Sequence, residues 1–234
     1  MASEKQQSFP DISEVYEQYE ALTAGLAEAG GSLIVYAGLD LPGIALAVAA
    51  NIAGAASLGL EDDVARAKAA IRSGACDFLV NSLDEALRIL KNEIRKKNPV
   101  AVALVGEPRA IVAEMVERGV QPEMVAGGVP GLEILEGRGA RRVGTAPMWG
   151  VAVRWTPEAD RQAAEALDPA AKSAAARRRW VEAAPRYLGR ALGGKRYLRM
   201  SEAEAERFVE ALKRAGISVT VKRDGAELVI APAS

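Results

Sequence analysis

The chain has 234 residues, half of them hydrophobic and 26% charged, with a net charge of −1, which allows one good core plus a small appendage. It contains no histidine and one cysteine, which excludes His-based general catalysis, Ser-His and Cys-His pairs, Cys/His zinc sites and any intramolecular disulfide. No apolar run reaches the roughly 18 residues of a membrane helix, and the polar start MASEKQQSFPD has no secretory pattern, so a cytoplasmic protein without a metal is expected.

Ile12 to Glu28 reads as a helix, with Ile12, Val15, Tyr16, Tyr19, Leu22 and Leu26 at three- and four-residue steps, packed on a sheet edge. The stretch from Ser32 to Asp63 then organises the chain. An apolar run, Leu33 to Ala37, ends in Gly38. A turn with Pro42 and Gly43 opens an alanine-rich helix to about Ala53. A second apolar run, Ala55 to Leu60, ends on Glu61. Strand, glycine turn, helix, strand and acid, with the acid about 20 residues after the first glycine, is the order in which a dinucleotide-binding fold holds a ribose. A full G-x-G-x-x-G is absent.

A third helix, Asp63 to Arg72, is expected to be capped by Asp62 and Asp63, because acids favour the positive end of the helix dipole. Phe78–Val80 is a short strand. Ser82 and Glu85 form a capping box for a helix reaching Lys97. Val100 to Val105, an unbroken apolar run, suits a parallel strand covered on both faces. Gly106 breaks it, a helix from Pro108 to Glu117 follows, and Glu123 to Ala126 is another strand, ending in Gly127-Gly128-Val129-Pro130-Gly131. The fold class is therefore α/β: a Rossmann-like, doubly wound parallel sheet. Ligands of such folds bind beyond the C-terminal strand ends. The candidate binding residues there are Gly38, Asp40, Gly43, Glu61, Gly106, Arg109, Gly127 and Gly128, and the titratable candidates are Tyr36, Asp40, Glu61 and Glu107.

From Tyr16 to Val125 the chain resembles the inserted nucleotide-binding domain of the urocanases (urocanate hydratases). The stretches that carry the resemblance are AGLDLPGIALAVAANIAGAASLGLEDDVARAKAAIRSGACDF, SLDEAL, AVALVGEPRA and MVERGVQPEMVAGGVPG. The resemblance implies a Rossmann-like domain that holds NAD, in a family of dimers. It also implies departures. The family's GGMGGAQ loop lies on NAD; here Asp40, Leu41, Pro42, Gly43, Ile44, Ala45 and Leu46 stand in its place, keeping Gly43 and Ala45. Asp40 would face the pyrophosphate with a like charge. The family's GNAA becomes Gly106, Glu107, Pro108 and Arg109, its polar QTSAHD segment becomes the Gly127–Gly131 loop, and the strand-tip acid is kept as Glu61. The family's catalytic cysteine belongs to a flanking core; Cys76 does not correspond to it and reads as a small buried hydrophobe.

Beyond Arg138 the resemblance fades. Arg141 to Ala146 and Val151 to Trp155 read as strands, and Pro157 to Leu167 and Ala170 to Ala183 as helices. Trp149, Trp155 and Trp180 read as anchors of a second small core or a dimer contact. Lys172 to Arg199 carries nine basic residues against Glu182 alone, a solvated face or an anion site, and nucleic acid is not the expected partner. Tyr197 to Met200, a helix capped by Ser201 and Glu204, and two strands around Arg223-Asp-Gly-Ala226 complete a strand–helix–hairpin extension. The expected division is a helix in 1–30, the Rossmann-like domain in 31–155, a basic helical segment in 156–196 and the strand–helix–hairpin unit in 197–234.

Three functions stay open at this level. One is a relative of the urocanase nucleotide domain that binds NAD or another anionic small molecule weakly and lacks hydratase activity by itself. Another is an interaction protein with a filled crevice. The third is a hydratase-type, NAD-dependent enzyme whose site is completed by the C-terminal unit or by a partner such as a second copy.

Overall fold

The computed structural model describes residues 9–146, 148–189, 192–217, 219–224 and 227–232. The chain divides into two compact units, Met1–Ala146 and Pro147–Ser234.

The first unit runs α1 (Ile12–Gly25), β1 (Leu33–Ala37), α2 (Leu41–Ala53), β2 (Ala56–Glu61), α3 (Val64–Arg72), β3 (Phe78–Val80), α4 (Leu83–Lys96), β4 (Val100–Val105), α5 (Pro108–Glu117), β5 (Met124–Ala126), α6 (Leu132–Gly137) and β6 (Arg141–Arg142). Its six strands form one parallel sheet in the order β3-β4-β2-β1-β5-β6. In register, Ala37 pairs with Leu60 and Glu61 with Val105, so these strands end level with one another. The helix after β1 leads to β2 on one side and the helix after β5 leads to β6 on the other. The β1/β5 boundary is therefore the switch point at which open α/β sheets bind ligands.

Helix α2 lies at the centre of this unit. From Gly43 to Ala53 every residue is buried, and all but Asn51 are apolar, as befits a helix covered on all sides. Its alanines let the helix lie close to the sheet, while α1 covers its other side. The N-terminal helix thus packs on α2, a correction to the expected sheet edge. It carries an Asp11–Glu14 capping box and stops at Gly25, short of the expected Glu28, because Leu26 turns to an extended backbone.

The second unit contains β7 (Val151–Trp155), a 3-10 turn (Pro157–Ala159), α7 (Asp160–Ala166), α8 (Ala174–Leu188), β8 (Arg196–Met200), α9 (Glu202–Arg214), β9 (Val219–Asp224) and β10 (Glu227–Pro232). These strands make a mixed sheet in the order β8-β7-β10-β9. The expected hairpin is present as antiparallel β9 and β10, with Asp224 opposite Glu227; its loop, residues 225 and 226, lies outside the described residues. The expected division at residue 155 is corrected. Strand Val151–Trp155 pairs with β8 and β10, so it belongs to the second sheet, and the helical segment and the hairpin unit share one body with it.

Two of the three tryptophans are buried in this body. The Trp155 ring meets Phe208 edge-to-face at 5.7 Å, and the Trp180 indole N–H donates to the Tyr197 carbonyl at 2.6 Å. The basic segment is partly structural. Arg177 pairs with Glu204, Arg196 pairs with Asp160, and the buried Arg199 donates to the Trp149 carbonyl. Lys172, Arg178, Arg179, Arg186 and Lys195 face solvent, and Arg190 lies outside the described residues.

Candidate functional site

The C-terminal strand ends of the first unit bring the predicted residues to one rim. Gly38 follows β1 with φ +89° and donates its N–H to the Leu60 carbonyl. Asp40 is the N-cap of α2: its Oδ1 accepts from the Gly43 N–H at 3.2 Å, and its carbonyl accepts from Ile44 at 2.8 Å. Gly43 is set by the fold itself. A Cβ there would stand 2.0 Å from the Gly38 carbonyl oxygen, so the first turn of α2 rests on the turn below it. Gly106 follows β4 and donates to the Glu61 carbonyl at 2.9 Å.

Gly127 follows β5 with φ +94°, and a Cβ there would lie 3.2 Å from the Ala37 carbonyl oxygen across the switch point. Gly128, beside it, has open space around it. Glu107 caps α5, accepting from the N–H groups of Arg109 and Ala110 at 2.9 and 2.7 Å. Arg109 stands exposed in the first turn of α5.

Glu61 is the most constrained of these groups. Its side chain is only 2% exposed and four donors converge on it. Oε1 accepts from the Asp63 N–H at 2.9 Å and Arg66 Nη2 at 2.8 Å; Oε2 accepts from the Leu39 N–H at 2.8 Å and Arg66 Nε at 3.1 Å. Burial opposes its ionisation, but the Arg66 hydrogen bonds and the two backbone N–H groups prevail and hold the carboxyl at about 2. The expected ribose acid thus ties the tip of β2 to the β1–α2 turn and to α3. Asp63 caps α3 as expected; Asp62, expected to share that role, only pairs with Arg66 across a turn.

Sequence reasoning missed Arg66. The signal that could have found it is a basic residue one turn into the helix that follows a strand-tip acid.

Tyr36 and Cys76 lie inside the unit. The Tyr36 hydroxyl is buried beside Ser57 and Cys76, and burial pushes it well above its ordinary value. Burial, with the Asp77 charge, pushes the Cys76 thiol up to about 12. Cys76 is therefore the buried hydrophobe expected of it, and Tyr36 is closed off from the rim.

The six-stranded parallel sheet and its flanking helices define a Rossmann-like α/β domain. The chain matches the urocanase Rossmann-like domain over residues 14–137, and it belongs to the urocanase family through that domain.

Domains of this family hold NAD, so the rim can be tested for fit. A dinucleotide pyrophosphate sits on the helix after β1 and uses the free N–H groups of the turn. Here the N–H groups of Gly38, Leu39, Gly43 and Ile44 already have partners, and Pro42 has none to give. Among the described residues this leaves those of Asp40 and Leu41, beside a carboxylate. The residues as they stand do not fit a tightly held dinucleotide. Among the described residues no cluster of three Asp, Glu, Cys or His side chains could hold a metal, and no helix is long and apolar enough to cross a membrane.

Proposed function

We propose that this chain is a member of the urocanase family that acts by binding and does not by itself hydrate urocanate. A general acid or base must gain and lose a proton near the working pH. Here Glu61, held at about 2, stays ionised at neutral pH, whereas Tyr36 and Cys76, both pushed up by burial, stay protonated. The observation that carries the reading is geometric: four donors close on Glu61, and Tyr36 and Cys76 are buried away from the rim. Asp40 and Glu107 act as helix caps. NAD, where the rim receives it, is held weakly. The partner we propose is a second copy of the chain, since the family resemblance implies dimers.

The direct test is loss of urocanate absorbance with purified chain and added NAD. No turnover is expected, and measurable turnover overturns the proposal. Light scattering at micromolar concentration tests the second copy: a dimer mass is expected, and a monomer mass removes that partner.

A further inference from the structure

We infer that Asp40 is the specificity-determining residue that keeps phosphate-bearing ligands from the N-terminus of α2, standing in with its own carboxylate for the phosphate such a turn accepts. The inference deepens the binding role proposed above and rests on that reading of the rim.

The geometry gives Asp40 this place. Its backbone is extended, with φ −73° and ψ −173°, which turns the side chain back over the helix it precedes. Oδ1 takes the Gly43 N–H, the donor at the third position of the helix. Oδ1 also lies 3.6 Å from where a Cβ of Gly38 would stand, so the carboxylate closes the turn between the strand end and the helix. A negative charge at this place gains from the helix dipole what a bound phosphate would gain. It also repels any phosphate brought alongside it.

The glycines of the turn serve the close packing of the chain on itself. Gly38 has a left-handed φ, Gly43 is pressed onto the Gly38 carbonyl, and Gly127 is pressed onto Ala37. Arg109, which has no ion pair among the described residues, adds a cation on the same rim. The scaffold of a dinucleotide site is present, with a carboxylate in the position of the anion.

The experiment measures NAD and ADP-ribose binding to the full chain, by calorimetry and by thermal unfolding, for the native protein, Asp40→Asn and Asp40→Gly. Asn keeps the helix cap and removes the charge; Gly removes the charge and frees the Gly43 N–H. Affinity is expected to rise about tenfold or more in Asp40→Asn, and at least as far in Asp40→Gly, because a unit charge is removed from beside the phosphates. Inorganic phosphate is the control for simple anion binding at the exposed arginines. Submicromolar NAD binding by the native chain overturns the inference, and so does unchanged or weaker binding in both variants. A variant that gains NAD but still leaves urocanate untouched supports the inference and spares the reading it rests on. Urocanate turnover by the native chain refutes that reading alone.

Discussion

Gly43 and Gly128 show how differently two glycines of one rim are constrained. At Gly43 an added methyl would collide with the Gly38 backbone, which belongs to the turn and cannot swing aside. Gly43→Ala is expected to cost about 3 kcal/mol, the upper range for overpacking. Gly128→Ala meets nothing within 4 Å and should stay within about 0.5 kcal/mol of the native protein. Urea unfolding of both variants checks the contrast, and equal losses would remove the steric account.

Glu61 gives a prediction in pH. Its folded value of about 2 lies below that of the unfolded chain, near 4.5. The stabilisation is therefore fully present above about pH 4.5 and is lost as pH falls towards 2, roughly 3 kcal/mol for a shift of this kind. Glu61→Gln should be less stable than the native chain at pH 7, and the gap should narrow by about half at pH 3 and close only below about pH 2. A gap that stays constant with pH would show that the charge does not matter. The buried Cys76 thiol, held at about 12, should resist a thiol reagent in the native state and react on unfolding. At this scale the sequence placed Glu61 at a strand tip correctly. It could not show that the tip is tied to Leu39, 22 residues away, because that contact follows from strand register.

Among the elements, α9 best separates local signals from distant ones. The Ser201–Glu204 capping box is a four-residue pattern and was legible as such: Ser201 N–H donates to Glu204 Oε2 at 2.8 Å. The same carboxylate also takes Arg177 Nη1 at 2.6 Å and Nη2 at 2.9 Å, and the Asp168 N–H at 2.8 Å. Burial opposes this charge too, yet Arg177 and the backbone donors hold Glu204 at about 2. One side chain thus joins α8, the loop after α7 and α9. Both members of the ion pair are nearly inaccessible, so truncating one leaves the other charge buried and alone. Arg177→Ala is expected to cost about 3–5 kcal/mol, and adding Glu204→Ala should cost much less than a second full loss. Additive losses in the two single variants and the double variant would mean that the residues do not act as a pair. The charge count of residues 172–199 suggested a basic face. In the fold, three of those residues turn inward to Glu204, Asp160 and the Trp149 carbonyl, which no sequence window could reveal.

At the scale of the molecule, the boundary at Ala146 makes a prediction of its own. The large cluster of apolar residues in the first unit, from Leu33 to Ala140, is drawn entirely from that unit. The family match, residues 14–137, also ends before the boundary. A fragment of residues 1–146 should therefore fold alone, with α/β circular dichroism and one cooperative transition. A fragment without a transition would show that its core needs the remainder of the chain.

What the sequence determined by itself is the order and type of the elements in the first unit, their parallel winding and the family to which they belong. Those follow from local causes: apolar runs for covered strands, glycines where the chain turns, and acids at helix starts. The tertiary structure decided three things. It gave Val151–Trp155 to the second sheet, because strand partners are chosen by register with residues 196–200 and 227–229 rather than by proximity in the chain. It put α1 on α2, since the apolar faces of both helices find cover in each other. And it fixed the chemistry of the rim. An acid at a strand tip can serve a ligand or the fold, and for Glu61 the choice was made by Arg66 and Leu39, whose donors meet its oxygens only once the strands and α3 are packed.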